Sequence, residues 1–111
     1  MEIVPLFTNS PLRNFSYLII SDEGAYGIDP LYPEQILAEL RRRDVSLRAI
    51  INTHEHPDHT GGNEELSQET GAPIWAHIHA KGKIPGVSRY LEAGEQLPVD
   101  EHSHLEVMDT P

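Results

Sequence analysis

The sequence THEHPDHTGGN occupies residues 53–63 and decides how the rest of the chain is interpreted. Three histidines and one aspartate fall within residues 54–59, which we call the histidine loop. The apolar run Ala49-Ile50-Ile51 just before it predicts a strand over residues 47–53 that is buried on both faces. Open α/β sheets usually place their functional sites beyond the carboxyl ends of strands. The position of the histidine loop therefore predicts a binding site.

The residue types in the histidine loop are typical of metal ligands. Side chains two residues apart in extended backbone point the same way, so His54, His56 and Asp58 could converge on one ion. His59 would then face elsewhere and could serve a second ion. Imidazole and carboxylate are the ligand set for zinc, iron or manganese where no thiolate is available. The chain has no cysteine, so thiolate sites and cysteine nucleophiles are excluded.

The alternative for these residues is a set of solvated loop histidines. We disfavour it, because several ligand types would have to coincide by chance directly after a buried strand. The chain has seven histidines in all. The four outside the loop are His77, His79, His102 and His104. They form two pairs whose members are two positions apart, and this spacing alone is weak evidence for a metal site. We expect these four histidines to be exposed or hydrogen-bonded structural residues.

Composition and charge exclude several classes of partner. The chain has 111 residues and a formal charge of -10, which argues against nucleic acid, because such binding depends on Lys and Arg. No apolar run approaches the roughly 20 residues of a membrane span, so we expect no membrane partner. Residues 1–5 contain no basic segment followed by an apolar one, which is how a signal peptide begins. We therefore expect a cytoplasmic protein.

Hydrophobic periodicity predicts an α/β fold. The predicted strands are residues 3–7, 15–21, 25–29, 47–53, 73–77, 97–99 and 104–108, and the predicted helices are residues 34–43 and a second that begins between Thr60 and Asn63 and ends at Gly71. The strands at 15–21 and 25–29 are close enough to form an antiparallel hairpin. The order strand, helix, strand indicates a βαβ unit but leaves open whether its strands are parallel neighbours. Residues 81–95 are expected to be irregular.

Residues 53–63 resemble the signature of the metallo-β-lactamase superfamily, and the chain is most similar to the glyoxalase II (hydroxyacylglutathione hydrolase) members. Gly27-Ile28-Asp29-Pro30 matches the strand-ending aspartate that members carry beneath the metal site. Residues 71–74, 84–87 and 97–108 follow the next family segments in order. The resemblance implies the N-terminal half of an αββα sandwich, a mixed sheet with flanking helices. It implies a single domain over residues 1–111, apparently truncated at its C-terminal end.

The resemblance also implies roles for individual residues. His54 and His56 correspond to ligands of a first divalent metal ion, and Asp58 and His59 to ligands of a second. Asp58 is also the implied catalytic residue, and Asp29 would orient the loop without touching metal. The ions would be zinc, with iron or manganese as alternatives. The implied reaction is hydrolysis of a small-molecule thioester by a metal-activated water.

The family pattern continues with Thr-Pro-Gly-His-Thr, whereas this chain stops at Thr110-Pro111. Three hypotheses are therefore open. The chain is the N-terminal half of a hydrolase, a hydrolase completed by a homodimer or a complementing chain, or a non-catalytic metal-binding or interaction module. Within the superfamily, a sulfur dioxygenase-like activity is also open, because residues beyond Pro111 would decide it. The thioester hydrolase is the favoured function.

Overall fold

A computed structural model describes residues 1–8, 15–53 and 60–108 of the chain. In these ranges the strands are β1 (Glu2–Phe7), β2 (Phe15–Ser21), β3 (Gly24–Ile28), β4 (Leu47–Asn52), β5 (Ile74–His77), β6 (Val87–Leu91), β7 (Gln96–Pro98) and β8 (His104–Glu106). The helices are α1 (Pro33–Arg43), α2 (Asn63–Thr70) and a 3-10 turn at Ile78–Ala80. The predicted α/β class is confirmed.

The first six strands form one mixed sheet in the order β1-β2-β3-β4-β5-β6. Strands β1 to β3 pair antiparallel, which confirms the predicted hairpin, and β3 to β6 pair parallel. The strands on either side of α1 are thus parallel neighbours, as in a βαβ unit. Pro5 lies in β1 at an edge of the described sheet, where the missing N–H of a proline is tolerated.

Both helices cover the same face of the sheet. Ile36 and Leu40 of α1 and Leu66 of α2 pack into one buried cluster with Leu18 and Ile50 of the sheet. Helix α1 has a proline in its first turn, and Gly71 ends α2 in a left-handed conformation with φ 76°. Among the described residues, no helix is long and apolar enough to cross a membrane.

The ribbon formed by β7 and β8 packs on the opposite face. Its Leu97 and the following Val99 join a second buried cluster with Tyr26 and Ile51 of the sheet. Tyr26 Oη donates to the carbonyl of Pro98 at 2.8 Å, and Arg48 Nη1 donates to the carbonyl of Val99 at 3.0 Å. These hydrogen bonds fix the ribbon against the sheet.

Toward β1, the same face carries an exposed aromatic strip. Phe7 pairs with Phe15, and their rings lie 5.2 Å apart. Phe7, Phe15 and Tyr17 are 47%, 43% and 38% exposed, well above the core residues of the same sheet. Paired residues share a face, and Ile3 pairs with Ile19 of the second cluster, so the strip continues that cluster.

The prediction of irregular structure over residues 81–95 is wrong in one part. Strand β6 occupies Val87–Leu91 and pairs parallel with β5. It is an edge strand of the described sheet, and Ser88 and Arg89 are exposed. An edge strand needs few apolar residues, so its sequence shows no clear alternation.

The ion pairs of α1 predict a pH-dependent part of the stability. Hydrogen bonds from Arg43 and then Arg42 hold the pKa of Glu39 below its ordinary value of 4.5. The stabilisation of the fold by these hydrogen bonds is fully present above pH 4.5. It is lost as the pH falls through the lowered pKa of Glu39. Glu39→Gln should lower the free energy of unfolding by up to about 1 kcal/mol at pH 7, with a smaller difference below pH 4.5. Urea unfolding at both pH values measures this.

The matched control for this prediction is Glu69→Gln, on the exposed side of α2. This variant should leave the free energy of unfolding nearly unchanged at pH 7. A loss as large as that of Glu39→Gln would show that the effect comes from net charge and not from the arginine hydrogen bonds.

Candidate metal centre

The histidine loop joins the carboxyl end of β4 to the start of α2. The predicted ligands His54, His56, Asp58 and His59 all lie outside the described residues. Thr53 and Thr60, on either side of the loop, are described. Among residues 1–8, 15–53 and 60–108, no three His, Asp or Glu side chains are grouped closely enough to hold a metal ion.

Asp29 holds the start of the histidine loop. It follows β3, is 6% exposed and has φ 50°, a left-handed conformation that Asp tolerates better than most residues. Its Oδ1 accepts a hydrogen bond from Thr53 N at 2.7 Å, and its Oδ2 accepts one from Thr53 Oγ1 at 2.5 Å. Its own N–H donates to the carbonyl of Ile51 at 2.9 Å. The backbone immediately before His54 is therefore fixed by a buried carboxylate.

A buried hydroxyl supports the turn that contains Asp29. Ser16 is 1% exposed, and its Oγ donates to the carbonyl of Asp29 at 2.8 Å. The same Oγ accepts a hydrogen bond from Leu31 N at 3.4 Å. Ser16 was not predicted to have a role. Its position inside the apolar strand Phe15–Ser21 could have indicated this role, since a buried polar side chain needs a hydrogen-bond partner.

Gly62 anchors the other end of the loop to the same turn. Its N–H donates to the carbonyl of Pro30 at 2.9 Å. A Cβ on Gly62 would lie 2.8 Å from the oxygen of Pro30 and 3.1 Å from the oxygen of Leu31. Only glycine allows this approach without displacing backbone.

Gly62→Ala should therefore lower the free energy of unfolding by about 1–3 kcal/mol, because the new methyl group must displace backbone atoms. Gly27→Ala is the matched control. Its Cβ would meet Leu47 Cδ1 at 3.5 Å, an ordinary contact, so a smaller loss is expected. Urea unfolding of both variants measures the difference. Equal losses would mean that the close approach at Gly62 carries no special cost.

A reciprocal amide pair joins the two sides of the loop. Asn52, the last residue of β4, donates through Nδ2 to Asn63 Oδ1 at 3.2 Å. Asn63, the first residue of α2, donates through Nδ2 to Asn52 Oδ1 at 2.5 Å. Both side chains are almost fully buried, at 1% and 5% exposed. Neither residue was predicted to have a role, although Asn52 interrupts a buried apolar strand.

A cleft of about 590 Å³ opens beside Thr53. The described residues that line it are mostly apolar: Ile28, Ile51, Asn52, Thr53, His77, His79, Ala80, Leu91, Leu97, Leu105, Glu106, Val107 and Met108. His77 is the last residue of β5, the parallel neighbour of β4. It therefore lies at the carboxyl ends of the strands, as Thr53 does. The start of the histidine loop therefore adjoins an apolar cavity.

The four other histidines are exposed or hydrogen-bonded, as expected. His77 Nδ1 accepts a hydrogen bond from His79 N at 3.1 Å, and the two rings lie 4.5 Å apart. The His102 side chain is 90% exposed, and His104 is exposed. The sequence did not predict that His77 and His79 line the cleft, because β5 and the ribbon meet there only in the folded chain.

Residues 9–109 match the family model of the metallo-beta-lactamase superfamily. The chain belongs to this superfamily. Membership implies divalent metal ions, which agrees with the imidazole and carboxylate groups of the histidine loop.

Curated members of the superfamily match along the chain. A hydroxyacylglutathione hydrolase of Polaromonas sp. is 42% identical over 113 residues, which are 100% of this chain and 43% of that protein. One of Nitrosococcus oceani is 43% identical with the same coverage. A hydroxyacylglutathione hydrolase of Arabidopsis thaliana, named as cytoplasmic, is 29% identical over 88% of this chain and 38% of that protein. The chain thus spans about two fifths of the length of these relatives.

Solved structures share the fold described above. The crystal structure of the B3 metallo-beta-lactamase BLEG-1 matches 99% of this chain and 62% of its own, with a TM-score of 0.77 and 19% identity. At this identity the likeness shows the fold alone. The structure of TTHA1623 in a di-iron-bound form matches 85% of this chain and 56% of its own, with a TM-score of 0.67 and 30% identity. The mixed sheet with helices on one face is therefore part of the metallo-beta-lactamase fold.

Proposed function

We propose that this chain provides the first part of the metal site of a thioester hydrolase of the hydroxyacylglutathione hydrolase type. The observation that carries the proposal is the 42% identity to such an enzyme over the full length of the chain. The anchored ends of the histidine loop support it, because a metal site needs ligands held at fixed positions.

The donor groups of the loop suit the implied metal ions. We assign His54 and His56 to one ion and Asp58 and His59 to a second, with zinc as the expected metal and iron or manganese as alternatives. When bound, the ions would supply a water that is deprotonated near neutral pH and would polarise the thioester carbonyl. Asp58 is the proposed catalytic residue and would be a ligand of the second ion.

The described residues would serve this chemistry by holding the loop in place. The Asp29 carboxylate fixes Thr53, and the Pro30 carbonyl fixes Gly62, so one turn holds both ends of the loop. Replacing a residue that orients metal ligands from outside typically weakens metal binding about 10–100-fold. We assign Asp29 this role. The apolar cleft beside Thr53 would exclude water from one side of the site.

Domain extent, partners and location belong to the same proposal. We propose that residues 1–111 act as one domain unit within the sandwich and that a second copy or a complementing chain completes the ligand set. The proposed substrate is a small-molecule thioester. A cytoplasmic location is supported by the name of the Arabidopsis thaliana relative.

The proposal is tested on one purified sample of the chain, by metal content from mass spectrometry and by hydrolysis of S-lactoylglutathione. Close to two metal ions per chain with turnover would support a site completed by self-association. Metal binding without turnover, followed by turnover once a complementing chain is added, would support the proposal that two chains share the ligand set. Metal without turnover under either condition would favour a non-catalytic metal-binding module.

A further inference from the structure

We infer that Asn52 and Asn63 are positioning residues for the histidine loop, through the reciprocal hydrogen bonds between their side-chain amides. The inference rests on the proposed metal site. In this inference the two residues fix the distance between the end of β4 and the start of α2. That distance in turn sets the affinity of the loop for metal.

The geometry of the pair is specific. Each amide donates to the oxygen of the other, so neither side chain can rotate without breaking both hydrogen bonds. Both amides are nearly fully buried, where an unpaired amide would be costly. The pair is therefore held in one orientation.

The pair also lies at the point where it controls the loop most directly. Asn52 directly precedes Thr53, and Asn63 directly follows Gly62. The bonds of Thr53 to Asp29 and of Gly62 to Pro30 tie each end of the loop to a third segment. The amide pair instead links the two ends to each other and closes the segment that carries His54 to His59.

Loss of the pair should weaken metal binding more than it weakens folding. Replacing both partners of a buried hydrogen bond with apolar groups of similar shape is often nearly neutral for stability. Leucine has a shape similar to asparagine, so Asn52→Leu combined with Asn63→Leu removes both amides and the two hydrogen bonds between them. The loop ends would then be linked only through the turn at Asp29 and Pro30, and metal binding would have to fix their spacing.

The test measures the zinc Kd of the 111-residue chain by competition with a chromophoric chelator. The double leucine variant should bind zinc about 10–100-fold more weakly than the wild type, the range typical for residues that orient metal ligands. Its midpoint of urea unfolding should stay near that of the wild type. The visible spectrum of bound Co²⁺ should also change, because the ligand geometry changes.

Leu66→Ala is the matched control. Leu66 is fully buried on α2, so this variant loses stability by forming a cavity while both amides are kept. It should keep the wild-type zinc Kd while it is folded. If the double leucine variant does not fold, the double serine variant replaces it, because water can satisfy both small hydroxyls.

A wild-type zinc Kd and Co²⁺ spectrum in the double variant would overturn the inference and leave the proposed function intact. Absence of zinc binding by the wild-type chain would overturn both. Zinc binding that depends on the amide pair, without hydrolysis of any thioester by a completed site, would contradict only the proposed reaction.

Discussion

His56→Ala is expected to weaken zinc binding by more than about 100-fold, beyond the loss typical for residues that only orient the ligands. His56 is assigned as a direct ligand between His54 and Asp58, and the loop offers no thiolate to replace an imidazole. Competition with a chromophoric chelator gives the Kd, and far-ultraviolet circular dichroism shows whether the variant is folded.

The control for this prediction is His102→Ala. The side chain of His102 is 90% exposed, and its backbone N–H is the group that contacts Asp100, so the alanine keeps that bond. This variant should bind zinc as the wild type does. Equal weakening by both variants would mean that zinc binds to scattered histidines and that the histidine loop is not the metal site.

Asp29→Ala has the second largest expected effect, on both stability and metal affinity. The alanine removes the carboxylate that accepts from the N–H and hydroxyl of Thr53, at about 0.5–1.5 kcal/mol, because Thr53 is exposed and water can replace the acceptor. It also places alanine at φ 50°, at a further cost of about 1–2 kcal/mol. The zinc Kd should rise about 10–100-fold, because the backbone before His54 is no longer fixed. Urea unfolding and zinc competition measure the two effects.

Asp44→Ala separates backbone strain from loop positioning. Asp44 caps α1 with φ 53°, almost the same conformation as Asp29, but it lies on the other side of β4 from the histidine loop in sequence. Its alanine variant should lose stability and keep the wild-type zinc Kd. A change in zinc affinity as large as that of Asp29→Ala would show that lost stability alone accounts for the weaker binding.

The sequence predicted elements whose determinants lie close together in the chain. The hairpin of β2 and β3 follows from two apolar strands around Asp22 and Glu23, and α1 follows from Pro33 and an apolar stripe. The metal loop was predicted for the same reason, since all its ligand types fall within residues 54–59. Asp29 was identified through the family resemblance, not through any local pattern.

Apart from Asp29, the residues that hold the loop could not be predicted, because their contacts join distant parts of the chain. Ser16 and Asp29 are 13 positions apart, and Asp29 and Thr53 are 24 apart. Strand β6 was missed because its position at the sheet edge demands little burial. In such cases a polar residue in an apolar strand predicts that a partner exists but does not identify it.

The most direct test of the central claim is S-lactoylglutathione hydrolysis by a chimera. In it, this chain replaces the matched 43% of the hydroxyacylglutathione hydrolase of Polaromonas sp.. We predict metal-dependent turnover that His56→Ala abolishes in the same chimera. A folded chimera that retains its metal ions but does not hydrolyse S-lactoylglutathione would contradict the assignment of this chain to a thioester hydrolase.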